Sequence, residues 1–168
     1  MIRIPLLLAA LAAAPAAAQT DLSPVEAWVA DPTVVLDAAD VSLAEFEWLA
    51  RPVVVFANSP LDPAFEEQME ELLSQQDRLV ERDVVIVTDT DPRSGSDLRQ
   101  MLRPRGFMMV LIGKDGEVEL RKPLPWTARE LSRSIDKMPL RQRELREPRD
   151  RDTIRPVAGA AADAEADG

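Results

Sequence analysis

Two short runs of β-branched and aromatic residues constrain this chain more than anything else in it. Val53-Val54-Val55-Phe56 and Val84-Val85-Ile86-Val87 contain no polar side chain, the pattern of strands covered on both faces. The segment between them reads as one long helix, opening at Asp62-Pro63 and reaching Arg82. Phe65, Met69, Leu72, Leu73, Leu79 and Val80 form its apolar stripe, while Glu66, Glu67, Glu70, Glu71 and Asp77 read as a solvated face. A helix joining two buried strands is a βαβ unit, so the strands should be parallel and the crossover right-handed.

The rest of the chain extends that unit. Phe107 to Ile112, then Lys114-Asp115-Gly116, then Val118 to Arg121 read as an antiparallel hairpin closed by an Asp-Gly turn. A short helix over Asp97–Leu102, N-capped by Ser96, joins the second and third strands. Ser23-Pro24-Val25-Glu26, Ser42-Leu43-Ala44-Glu45 and Thr127-Ala128-Arg129-Glu130 each fit a capping box. They predict helices near 23–30, 42–49 and 127–138, with Pro139 stopping the last. The fold class is therefore α/β, with the order β-α-β-α-β-β-α behind short N-terminal helices.

The ends differ from this core. Residues 1–18 combine an early Arg3, an apolar Leu/Ala run and the small-residue stretch Ala16-Ala17-Ala18, the three parts of a secretory signal peptide cleaved before Gln19. The run is too short and too interrupted by Pro15 for a permanent span, so no membrane span is expected after cleavage. The expected address is the periplasm of a Gram-negative bacterium, or secretion. Residues 19–42 read as an N-terminal extension with a short helix, 43–144 as the domain, and 145–168 as a flexible tail, charged and then Ala/Asp-rich. Residues 19–98 hold 18 acidic and 4 basic side chains, whereas 99–155 hold 9 and 15. Such an acidic front half argues against nucleic acid as a partner. Arg and acidic residues alternate through 141–155 without apolar periodicity, as in a solvated helix ending before Pro148.

Three residue types are missing altogether. Without Cys there is no disulfide, thiol nucleophile, dithiol couple or thiolate-bound metal. Without His there is no imidazole base and no Ser-His-Asp triad. Without Tyr there is no phenolic acid. No cofactor is expected.

The element order is the core of the thioredoxin fold. Arg51 to Ala57 ("RPVVVFA") resembles its first central strand, and "VLIGKDGEVELRKP" its final hairpin. With the closing "SIDKMPLRQRE", Ser134 to Glu144, residues 43–144 resemble domain of unknown function 4174, a thioredoxin-like family of bacterial proteins also found in animal sushi-repeat proteins. The resemblance implies a scaffold without an established activity. Thioredoxins carry a redox Cys-x-x-Cys just beyond the first central strand, where this chain has Asn58-Ser59-Pro60-Leu61-Asp62-Pro63. Their cis-proline position falls near Met108. Dithiol exchange is excluded.

Ligands of open α/β sheets bind beyond the carboxyl ends of the strands, which makes Asn58, Ser59, Asp62, Asp89 and Asp91 the candidate ligand loop. Ser59, Pro60 and Asp62 equally suit a turn and a helix cap. A Ser59–lysine nucleophile would need Lys114, Lys122 or Lys137, and Lys114 is expected in an exposed turn. Asp89 to Asp97 fails as a calcium loop, because Arg93, Ser94 and Gln100 occupy its fifth, sixth and twelfth positions. Arg99, Arg103, Arg105, Arg121 and Lys122 form a candidate anion patch, or neutralise the acidic half of the protein. The expected function is a redox-inactive binding or interaction module for a protein or small molecule. The alternative is a carboxylate- or cation-dependent hydrolase or transferase using the loops after the first two central strands. A contact through the Arg-rich 141–155 segment is a third possibility.

Overall fold

In a computed structural model, residues 22–147 are described. The signal-peptide pattern of residues 1–18 and the stretch from 148 to 168 lie outside them. The chain runs α1 (Pro24–Ala30), β1 (Val35–Asp37), a 3-10 turn (Leu43–Phe46), β2 (Arg51–Phe56), α2 (Pro63–Ser74), α3 (Gln76–Val80), β3 (Val84–Asp89), α4 (Asp97–Leu102), β4 (Met108–Ile112), β5 (Val118–Lys122), α5 (Ala128–Asp136) and α6 (Pro139–Arg146).

The strands form one five-stranded sheet in the order β1-β3-β2-β4-β5. β2 pairs parallel with β3, placing Arg51 beside Val84 and Phe56 beside Asp89. β4 runs antiparallel to β2, with Val53 opposite Leu111, and β5 returns antiparallel on β4. A parallel βαβ unit followed by an antiparallel hairpin and a closing helix is the thioredoxin-like arrangement.

Every residue of β2 is buried, and the side-chain period of two divides the strands between two cores. Val53, Val55, Val84, Ile86, Met109 and Leu111 meet Leu72, Leu79, Leu131 and Ile135 on one face. Val54, Phe56, Val85, Val87, Val110 and Ile112 meet Phe46, Leu98 and Leu102 on the other. Each wholly buried aliphatic or aromatic side chain contributes about 1.5–3 kcal/mol, so both faces are needed to hold a sheet that no disulfide reinforces.

Four features differ from the sequence reading. The long helix is interrupted at Gln75, whose φ of −130° and ψ of 34° leave the helical region. The Ser74 hydroxyl donates to the Glu71 carbonyl and Gln75 N–H to Leu72 O, a local competition with the regular ladder. The Ser42 box yields only a 3-10 turn with no side-chain cap bond, because Trp48 turns the chain away at φ 63°. Pro139 does not merely stop a helix; it occupies the first turn of α6, where a missing N–H is harmless. Finally, the stretch read as an extension supplies β1, which pairs parallel with β3 from Val35 to Asp37.

The remaining helix starts agree with their chemistry. Ser23 and Thr127 form complete capping boxes with Glu26 and Glu130. Asp62 accepts from Ala64 N–H, and Ser96 from Arg99 N–H, at the starts of α2 and α4.

Candidate functional site

The carboxyl ends of β2 and β3 meet at one corner. Ala57 N–H donates to the Asp89 carbonyl at 2.9 Å, extending the parallel ladder by one residue. The next residues turn tightly: Ser59 Oγ accepts from Leu61 N–H at 3.2 Å, and Asp62 N–H donates to Ser59 O at 3.2 Å. The Asp62 carboxylate is spent on Ala64 N–H at 2.9 Å. Asn58 is exposed, and Leu61 stands 78% exposed at the tip. The turn-and-cap chemistry read from Ser59 and Asp62 is thus what the structure contains.

Asp89 lies beneath this turn, only 4% exposed. It accepts from Ser96 Oγ at 2.6 Å and from the Arg99 guanidinium, whose Nη2 is 2.6 Å from Oδ1 and whose Nε is 3.1 Å from both oxygens. Arg99 also donates to Ala57 O at 2.9 Å and Asp89 O at 3.0 Å, and lies 5.5 Å from the centre of the Phe56 ring. Charge-assisted bonds of this kind are short and strong. Asp89 and Arg99, expected in a ligand loop and an anion patch respectively, are each other's partner. Asp91 stays exposed, capping its own loop by accepting from Arg93 N–H at 2.9 Å. Among the described residues no three carboxylates gather closely enough to hold a metal ion.

The basic patch does not assemble on one surface. Arg121 and Lys122 are neighbours on β5, opposite Val110 and Met109, and so point to opposite faces of the sheet. Arg121 donates to Leu102 O, capping a carbonyl at the end of α4. Lys122 lies over the Trp126 ring, 4.3 Å from its centre. Arg103 and Arg105 are exposed, with Arg103 in the left-handed region that closes α4.

A denser ionic cluster sits at the opposite end of the sheet. Lys114 is not in an exposed turn: it is 2% exposed, with Nζ 2.6 Å from Asp83 and 3.1 Å from Glu144. Arg51 is entirely buried and donates to Arg82 O at 2.9 Å and Glu144 Oε1 at 3.0 Å. Arg141 donates to Glu81 O at 2.9 Å, and Arg82 grips Asp136 through two bonds. Burial would push the Glu144 carboxyl up, but hydrogen bonds and charge from Arg51 and Lys114 outweigh it and hold the group below its ordinary value. The cluster borders a cavity of about 450 Å³ formed by the end of the 3-10 turn, the hairpin turn and the start of α6.

Sequence reading missed this end. A basic residue opening a buried strand, Arg51, is its one local signal; the partners Asp83, Lys114 and Glu144 come together only through the topology. The same placement separates Lys114 from Ser59, which lie at opposite ends of β2. Six strand residues span about 20 Å, so the Ser59–Lys114 dyad does not form.

Solved structures similar to the chain include desulfothioredoxin from Desulfovibrio vulgaris Hildenborough, at 22% identity and TM-score 0.47, covering 62% of this chain and 97% of that one. A 2-Cys peroxiredoxin from Plasmodium vivax aligns at 16% identity and TM-score 0.49, covering 62% and 85%. Thioredoxin peroxidase I from Plasmodium yoelii aligns at 19% identity and TM-score 0.46, covering 63% and 80%. No curated protein matches the chain. The family model described as Domain of unknown function (DUF4174) matches residues 42–144, the span from the 3-10 turn through Glu144. With its thioredoxin-like sheet and no cysteine, the chain belongs to the DUF4174 family.

Proposed function

We propose that this protein is an exported, redox-silent thioredoxin-like module that binds a partner rather than transforming a substrate. One observation carries the reading: the corner where a thioredoxin keeps its dithiol is occupied here by a closed structural network. Asp89 is neutralised by Arg99 and Ser96, and Asp62 and Ser59 are spent on turn and cap bonds. A nucleophile needs an adjacent base or a lowered pKa, and the chain has no Cys, His or Tyr to supply one. The corner instead presents a shaped surface with Leu61 at its apex. Export rests on the three-part signal pattern of residues 1–18.

The test uses the full chain. Fusion of residues 1–18 to an alkaline phosphatase lacking its own signal should give active enzyme outside the cytoplasm, and an inactive fusion would overturn export. The mature protein, immobilised, should retain a periplasmic partner stoichiometrically, and Leu61→Asp should release it. Turnover in a panel of phosphoester, glycoside and peptide substrates that disappears in Asp62→Ala would instead establish the hydrolase alternative.

A further inference from the structure

The cavity at the base of the sheet carries an inference independent of the corner and of export. Its rim holds Trp48, a residue with no evident structural return. Trp48 follows the 3-10 turn with φ at 63°, a left-handed position that glycine ordinarily fills at helix ends. Its N–H donates to Lys114 O at 2.6 Å, which fixes the backbone whatever the side chain. The indole itself is 60% exposed. A bulky residue in a glycine conformation, with its ring left in solvent, strains the fold without adding to its core, and such strain concentrates at ligand sites.

The charges around the ring are arranged in two signs. Arg143 on α6 lines the cavity from one side, while Asp115 and Glu119 line it from the hairpin. Among the described residues none of these three closes an ion pair with another side chain. Below them the buried cluster is balanced within itself, Arg51, Arg82, Lys114 and Arg141 pairing with Glu81, Asp83, Asp136 and Glu144, so the rim charges are left for a ligand. Arg51 also keeps its Nε without a hydrogen-bond partner. Leu140 and Trp48 supply apolar walls between the two signs. The volume of about 450 Å³ falls within the range of small-molecule sites.

We propose that this cavity binds a small zwitterion with an apolar side chain, of the α-amino-acid class. The carboxylate faces Arg143, the ammonium faces Asp115 and Glu119, and the side chain stacks on Trp48.

The proposal is tested by titrating the mature protein with L-phenylalanine and following backbone and indole N–H resonances by NMR. The expected result is a saturable shift centred on Trp48, Lys114 and Arg143. N-acetyl-L-phenylalanine, which lacks the ammonium, and L-phenylalaninamide, which lacks the carboxylate, should each bind about tenfold more weakly. Trp48→Gly should abolish the shift while keeping the thermal midpoint equal or higher, because glycine accepts φ 63° without strain. Arg143→Gln should weaken binding about fivefold in a folded protein. No saturable shift up to about 10 mM amino acid, a millimolar affinity being the weakest a dedicated site would show, overturns the proposal. So does equal binding of either truncated probe, or a lowered midpoint in Trp48→Gly.

Discussion

Asp89 shows how a residue with the composition of an active site becomes structural. Its carboxylate ends a parallel strand at the ligand-binding edge of the sheet, yet Arg99 and Ser96 take up both oxygens. Removing one member of a buried pair leaves the other uncompensated. Asp89→Asn should therefore destabilise the fold by about 3 kcal/mol, measured by urea denaturation, with no change in any hydrolytic background. Glu144 is the counterpart at the other end. Since its folded carboxyl titrates below the ordinary value, the unfolded chain takes up the proton first. The stabilisation from Glu144 is whole above the unfolded value of about 4.3, declines as pH falls below it, and is gone under the folded value. Glu144→Gln should lower stability by about 3 kcal/mol at neutral pH and flatten this acid limb in a denaturation series. Residue types alone showed which groups were absent and where caps belonged. They could not show that Asp89 would meet Arg99, or that Lys114 would be buried, since both depend on how strands and loops come together.

At the scale of elements, one motif gives two outcomes. Thr127 and Glu130 close a full capping box at α5, whereas Ser42 makes no side-chain cap bond. Thr127→Ala should cost about 1 kcal/mol, and Ser42→Ala should leave the thermal midpoint nearly unchanged. β2, β3, the β4–β5 hairpin, α4 and α5 were legible because period, capping and turn chemistry agree in each. The break at Gln75 was not, since the apolar stripe from Leu72 to Leu79 keeps helical spacing across it. β1 was missed because three residues, only Leu36 of them half-buried, carry little strand signal. α6 read as solvated because its docking relies on Arg141 and Glu144, charges that periodicity counts as surface.

The whole molecule holds together by packing on two faces of one sheet and by ion pairs joining its margins. With no cysteine anywhere in the chain, thermal unfolding should superimpose with and without dithiothreitol, and oxidised glutathione should leave the mass unchanged. The ionic cluster also has a consequence for how the chain closes. Arg51 and Glu144 are 93 positions apart, Arg141 and Glu81 are 60 apart, and Arg82 and Asp136 are 54 apart. Arg51 on β2 and Lys114 in the β4–β5 turn both precede the helix that carries Glu144. Without that helix, closing the sheet would bury Arg51 and Lys114 with Asp83 as their one shared carboxylate among the described residues, a state disfavoured by the cost of desolvating undercompensated charge. Closure of the sheet and docking of α6 are therefore expected to be one cooperative step, with the amides of β2 and α6 sharing a single opening free energy in hydrogen exchange.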